Sequence, residues 1–258
     1  MLVLVLAGAL VASAPARAQG DTDTDTGTEL IGTSQAGAPL VVHHLGTGAT
    51  RVFILGGQHG GPEANTVQLV ERLLDHFAAN PNELPDSVEL DILPVANPDG
   101  LANGTRQLLS GVDPNRNWGG PDWRADAYDS NAHFRVGLGG PEPFSEPETR
   151  ALADWLLRVR PALVVNYHSA GGFVFGPHSG PTADLAAGFV SATGYRWPEP
   201  GSGQNPLPYT ATGSMSVWLR EVGIPGLFVE LSSAQDPELA RNLAGVQAVL
   251  EQLASTPQ

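Results

Sequence analysis

The chain has 258 residues, 41% of them hydrophobic, and a formal charge of -14. That length and hydrophobic content suit one packed domain, and the acidic surface argues against nucleic acid and anionic membranes as partners. There is no cysteine, and all 13 basic residues are arginine, which excludes disulfides, thiolate metal sites, cysteine nucleophiles and lysine Schiff bases.

Leu2 to Ala12 is an apolar run too short to span a bilayer, and Ala16-Arg17-Ala18 follows as a small-x-small cleavage site. Residues 1–18 therefore read as an export signal, although no basic residue precedes the apolar run. Residues 19–28, with their Asp-Thr repeat, read as a disordered polar tether. No second linker or internal repeat follows, so residues 29–258 read as a single domain. The expectation is a periplasmic or secreted monomer with no stable membrane association after signal cleavage.

Apolar, β-branched runs at Leu40–Val42, Val52–Leu55, Val88–Leu93, Leu163–Val165 and Leu227–Val229 predict strands. Several are almost continuously hydrophobic, as strands covered on both faces are. Helical periodicity predicts helices over Asn65–Ala79, Pro181–Thr193, Ser214–Val222 and Pro237–Leu253. Another starts at Ser145-Glu-Pro-Glu148, which reads as a capping box with proline in the first turn. The alternation implies an α/β fold: a mixed, mostly parallel twisted sheet with helices on both faces. Asn97–Gly140 is rich in Gly, Asn, Asp and Pro and reads as one long functional loop.

Chemistry gathers at strand ends. His59 follows the Val52–Leu55 strand through Gly56-Gly57-Gln58, and Glu63 starts the next helix. His168 closes the strand that runs on to Tyr167. Sites in open α/β sheets lie beyond the carboxyl ends of strands. Two imidazoles, one carboxylate and a position left for water form a catalytic zinc set. Any one of these histidines alone would be read as a satisfied polar residue; the three together point to a metal. Glu230 ends the Leu227–Val229 strand, where a carboxylate suits a general base toward metal-activated water. Arg106 and Arg116 are the only basic residues between Arg72 and Arg124. Their guanidinium forks suit a carboxylate or a developing oxyanion. His43, His44, His76, His133 and His178 have no ligand-like company in the sequence, although His133 and His178 are placed to line a cleft.

These residues resemble the zinc carboxypeptidase family, the carboxypeptidase A-like enzymes, over most of residues 50–233. Gly111-Val112-Asp113-Pro114-Asn115-Arg116-Asn117-Trp118 is similar to the family's Gly-Val-Asp-x-Asn-Arg-Asn-aromatic run. Asn97-Pro98-Asp99-Gly100 and Pro143-Phe144-Ser145-Glu146-Pro147-Glu148-Thr149 match as well. The short length resembles compact bacterial members, including the murein-tripeptide amidases.

The resemblance implies one Zn2+ held by His59, Glu63 and His168. It implies that Asp113 orients the His59 imidazole and that Arg106 polarises the scissile carbonyl. Asn115 and Arg116 would clamp the substrate's terminal carboxylate, and Glu230 would be the base. Tyr209, with the family's spacing to Trp218, would close over substrate, and specificity would be read near Ser216. Three positions depart from the family pattern. The metal spacing is His-x-x-x-Glu rather than His-x-x-Glu, Val217 stands where an acid is common, and Ala170 stands where tyrosine is common. A small neutral Ser216 argues against basic C-terminal side chains.

The leading expectation is a metallocarboxypeptidase acting on the C-terminal amide of a peptide or muropeptide with a free carboxylate. The second is a zinc deacylase of N-acyl amino acids, similar to succinylglutamate desuccinylase and aspartoacylase. The third is a non-catalytic peptide- or carbohydrate-binding domain. No Gly-x-Ser-x-Gly supports a serine hydrolase.

Overall fold

The computed structural model describes residues 22–23, 27–180, 182–199, 206–207 and 209–255. The expected signal over residues 1–18 lies outside them. In chain order the elements are β1 (Thr22–Asp23), β2 (Thr28–Thr33), β3 (Pro39–Leu45), β4 (Thr50–Leu55), α1 (Ala64–Ala79) and β5 (Val88–Leu93). There follow α2 (Pro98–Asn103), β6 (Ala127–Tyr128), β7 (Phe134–Arg135), α3 (Pro147–Val159), β8 (Leu163–Ser169) and β9 (Phe173–Phe175). The last are α4 (Ala183–Thr193), α5 (Met215–Glu221), β10 (Gly226–Leu231) and α6 (Leu239–Ser255).

Eight strands form one sheet in the order β1-β2-β3-β5-β4-β8-β10-β9. The middle four, β5-β4-β8-β10, run parallel, and both flanks are antiparallel. This is the expected α/β arrangement, with the parallel pairing confined to the centre. The reason is legible in burial: Val52, Phe53, Ile54 and Leu55 of β4 are all buried, so both faces need a cover. One face carries α1, α4 and α6, whose Leu73, Phe77, Phe189 and Val246 pack on Ile54, Leu90, Val165 and Val229. The other carries α3 and α5, whose Leu152, Trp155, Trp218 and Leu219 pack on Phe53, Leu55, Val164 and Phe228.

Four expectations need correction. The tether is not wholly irregular: Thr22 and Asp23 pair with Glu29 and Thr28, and the Gly27 carbonyl accepts from His44 N at 2.7 Å. Backbone pairing does not require apolar side chains, so composition hid it. The long loop contains α2, capped by Asn97 Oδ1 on Gly100 N, and the β6–β7 hairpin. Both are too short to show periodicity. Asn117 and Trp118 hold the rest of that loop. Asn117 Nδ2 donates to the Gly139 and Glu142 carbonyls, and its Oδ1 accepts from Glu146 N and Thr149 Oγ1. Trp118 is buried against Phe144 and Trp218.

The capping box at Ser145 does not form. The cap residue is Glu146, without a side-chain bond to the helix, while Ser145 Oγ serves Asn117 and Glu146. Glu148 instead accepts from Gln35 N on the β2–β3 turn. His44, finally, has acidic company. Its Nδ1 lies 2.6 Å from Asp91 Oδ1, beside Glu89. Arg51 donates through Nε and Nη2 to Asp91 at 2.8 Å and also pairs with Glu89, so this cluster already holds its own cation. The expected helix from Pro181 begins at Ala183; Pro181 itself is outside the described residues.

Candidate active site

The site forms where β4, β8 and β10 end at their carboxyl termini. After β4 the chain runs through glycines that let backbone touch backbone. A Cβ on Gly60 would stand 2.2 Å from Gly100 C and Thr105 O, and Gly61 N donates to Thr105 O at 3.0 Å. A 3-10 turn over Gly61–Glu63 takes up the extra residue of the His-x-x-x-Glu spacing. It brings Glu63 Oε1 within 2.9 Å of His59 Nδ1.

His168, near the end of β8, completes the group. Its Nδ1 lies 3.1 Å from His59 Nδ1 and 3.2 Å from Glu63 Oε2. All three side chains are buried. Among the described residues, this trio and the His44–Glu89–Asp91 cluster are the two groups with metal-ligand geometry. Ligands about 2.0–2.2 Å from a tetrahedral zinc stand roughly 3.4 Å from one another, close to the spacing here.

The proton inventory gives the same answer. Asp113 Oδ1 lies 3.0 Å from His59 Nε2, and an ionised carboxylate only accepts, so Nε2 carries the proton. His59 Nδ1 then turns a lone pair toward Glu63 and His168 unless a second proton fills it. Arg106 meets this cluster from one side only, and two ring nitrogens and a carboxylate converging in a buried space fit zinc. His168 Nε2, by contrast, is buried without a hydrogen-bond partner among the described residues, where no outer carboxylate meets it as Asp113 meets His59.

Arg106 bridges the cluster. Its Nη1 pairs with Glu63 Oε1, and its Nε donates to Asp113 Oδ2 at 3.2 Å. Burial alone would raise the Glu63 carboxyl, but His59 and Arg106 hold it well below the usual carboxylate range. Asp113 follows the same pattern: burial opposes ionisation, and Arg106, His59 and Arg116 overcome it. Burial and Arg106 push His59 down, Glu63 and Asp113 push it up, and the net shift is upward.

Glu230 behaves differently. Burial pushes its carboxyl up to about 7; Glu63 adds to the rise, while His168 and Arg106 oppose it. Two carboxyls held below the usual range therefore stand with one pushed above it, each by its own surroundings.

Asp113 also links to the clamp. Its Oδ1 accepts from Asn115 N at 2.8 Å, and Asn115 Oδ1 accepts from Met215 N, which fixes the start of α5. Arg116 is 1% exposed. It donates through Nε to Tyr128 O and through Nη1 to Asn115 O, while Nη2 is buried with no partner among the described residues. The Tyr209 ring stands 5.4 Å from the Arg116 carbon Cζ. Ser216 Oγ lies 2.9 Å from Ser214 Oγ. The structure brings His59, Glu63, His168, Asp113 and Arg106 into direct contact, links Asn115 to Asp113 and Tyr209 to Arg116, and pairs Glu230 with His168 in strand register. Of the other histidines, His133 is mostly exposed beside Asp129, and His178 stacks on Trp197 at 4.2 Å.

Sequence reasoning missed Asn65. It is buried, two positions after Glu63 on α1. Its Oδ1 accepts from Ser169 Oγ, and its Nδ2 donates to the Ser233 and Asp236 carbonyls. It ties the ends of β8 and β10 to the helix that starts at Glu63. A buried-side asparagine on an amphipathic helix was the available signal.

Comparison with known proteins agrees with this geometry. The zinc carboxypeptidase family profile matches residues 21–238. The chain belongs to the zinc carboxypeptidase family. It is therefore a metallopeptidase, and the family's cofactor is one zinc ion. Murein peptide amidase A of Escherichia coli strain K12 is 33% identical over 184 residues, covering 67% of this chain and 73% of that protein. Zinc carboxypeptidase A 1 of Drosophila melanogaster is 31% identical over 152 residues, covering 52% of this chain and 34% of that protein. Among solved structures, murein-tripeptide amidase MpaA from Escherichia coli O157 superposes with a TM-score of 0.66 at 23% identity, covering 93% of this chain and 98% of that one. Bovine thrombin-activatable fibrinolysis inhibitor gives 0.73 at 20% identity, covering 88% and 89%. At these identities the structures show a shared fold.

Proposed function

We propose that this zinc carboxypeptidase family member hydrolyses the C-terminal amide bond of a peptide carrying a free carboxylate. The observation that carries the reading is Arg116. Its Nη2 is a buried donor with no partner among the described residues, on the same short run as the Asp113 that supports His59. An unpaired buried guanidinium nitrogen is costly, and a substrate carboxylate satisfies it.

His59, Glu63 and His168 would hold the zinc. Zinc held there supplies a Lewis-acid charge for the scissile carbonyl and acidifies the attacking water. Asp113 keeps the proton on His59 Nε2 and so keeps Nδ1 turned inward. Arg116 and the Asn115 amide fix the terminal carboxylate, which places the last amide bond at the cluster. Arg106 holds its charge for an oxygen that turns negative. Glu230 takes a proton from water and gives it to the leaving amine. Tyr209 covers the bound end beside Arg116. The family match favours this peptidase reading over the deacylase and non-catalytic ones.

The murein relatives by name support a cell-wall peptide as substrate, and the signal read in residues 1–18 supports a periplasmic or secreted location. Among the described residues no helix is long and apolar enough to cross a membrane. The test is mass spectrometry of products from muropeptides, blocked dipeptides and N-acyl amino acids, with and without chelator. Loss of a C-terminal residue, abolished by chelator, is expected. Cleavage of N-acyl amino acids alone would replace the peptidase reading with the deacylase one.

A further inference from the structure

Asn166 is a polar interruption of an apolar strand. On β8 it follows Leu163, Val164 and Val165, is 0% exposed, and pairs in register with Leu55 of β4 and Phe228 of β10. It shares a face with His168, two positions further on. Its Nδ2 donates to Gln58 Oε1 at 2.7 Å, and Gln58, itself buried, immediately precedes His59.

The place of this bond gives it weight. The ladder between β4 and β8 has its last pair at Leu55–Asn166. Beyond that pair the Gly56–Gly57 backbone turns to the other side. Gly56 N donates to Leu93 O of β5, and the Gly56 and Gly57 carbonyls accept from Ala96 N and Asn97 N. The chain reaches back to β8 through the Gln58 side chain. The segment before His59 is thus fixed on the β5 side by backbone, and to the strand of His168 by this amide–amide bond. A second path closes on the same asparagine. Asn166 Nδ2 lies 3.4 Å from Met215 Sδ, a weak acceptor. Met215 N donates to Asn115 Oδ1, and Asn115 N donates to Asp113 Oδ1, which holds the His59 ring.

Stability does not account for the pair. Gln58 Nε2 and Asn166 Oδ1 are buried with no partner among the described residues, so each amide is only half satisfied. Two apolar side chains of similar shape would fill the space at equal or lower free energy.

We propose that Gln58 and Asn166 are positioning residues whose mutual bond sets the separation of the His59 and His168 imidazoles. The proposal rests on the ligand reading above, in which both rings hold zinc.

The experiment compares wild type with Gln58→Met, Asn166→Leu and the double variant, with His59→Ala and His168→Ala as controls. Competition with a chromophoric chelator reads zinc affinity, and circular dichroism of the holoprotein reads the fold. The visible absorption of the cobalt-substituted protein reads ligand geometry, to which d10 zinc is silent. Zinc affinity is expected to fall by about 10-fold in all three variants, with shifted cobalt bands and unchanged dichroism. Because the two side chains act through one bond, the double variant should lose no more than either single one. Should Asn166→Leu fail to fold, Gln58→Met, which keeps the side-chain length, decides alone. Wild-type affinity and cobalt bands in Gln58→Met overturn the proposal, and so do losses that add in the double variant. Weaker zinc with wild-type cobalt bands also overturns it, since general loosening would do that. Loss of zinc in the two histidine variants leaves the ligand reading standing in each of these cases. Wild-type zinc affinity in either histidine variant overturns the ligand reading itself.

Discussion

Glu230 and His168 are direct partners across the parallel pair β10 and β8, in register from Gly226–Val164 to Leu231–Ser169. In-register partners on neighbouring strands project to the same face. The register therefore places the Glu230 carboxyl on the same side of the sheet as the His168 ring. A register slip of one residue would send Glu230 to the opposite face.

Glu230→Gln should keep zinc and the fold while lowering kcat by about 10²–10⁴-fold, the range for loss of a general base. Metal content by mass spectrometry and steady-state kinetics check this together. The sign of the pH effect follows from the raised carboxyl, at about 7. A base works only when ionised, so activity should rise with pH through an acid limb. A cation bound nearby favours the ionised form and moves that limb below 7. The Gln variant should lose it.

The strands and long helices were legible because near-continuous apolar runs and 3.6-residue periodicity survive in the sequence. The site was legible for a different reason. His59, His168 and Glu230 sit within or just beyond strands whose hydrophobic runs mark where the sheet ends, so their convergence follows from topology. Arg116 was identifiable as a charge in a glycine-rich loop, but its burial was not, because that depends on the Tyr128 and Asn115 carbonyls. The β6–β7 hairpin and α2 were invisible because each is too short to show periodicity, and the role of Asn117 because its bonds reach residues 22 to 32 positions away. The false capping box at Ser145 shows the converse. The right residue types were present, and Asn117 competed for the serine hydroxyl.

Removing a ligand should separate from removing its support. Glu63→Ala is expected to abolish stoichiometric zinc, because it deletes one of three converging side chains and leaves Arg106 with Asp113 alone. Asp113→Asn is expected to weaken zinc by about 10–100-fold rather than abolish it, as outer hydrogen-bond partners do. Competition with a chromophoric chelator distinguishes the two. Equal affinity in wild type and Glu63→Ala would show that the four-residue spacing does not carry a ligand.

Arg116→Ala should raise KM for substrates with a free C-terminal carboxylate by about 10–150-fold, the equivalent of a charged hydrogen bond worth about 1.5–3 kcal/mol. The kcat should change less. C-terminally amidated peptides should show no comparable loss between wild type and variant. An equal loss on both substrates would mean that Arg116 acts through the Tyr128 and Asn115 carbonyls it holds, not through substrate.

Asn65 tests whether the site depends on the lock behind it. Its Oδ1 holds Ser169, the neighbour of His168, while its Nδ2 holds the turn that follows β10. Asn65→Ala leaves the Ser233 and Asp236 carbonyls without their donor, at about 1–3 kcal/mol of stability. Zinc affinity should fall by about 10-fold as Ser169 and Glu63 lose their common anchor. Asn65→Asp separates the two halves: it keeps an acceptor for Ser169 and loses both donors. If the Ser169 bond positions His168, the Asp variant recovers zinc affinity but not thermal stability. If the turn after β10 matters more, both variants keep near-normal zinc affinity, and their faster amide exchange is confined to residues 232–238.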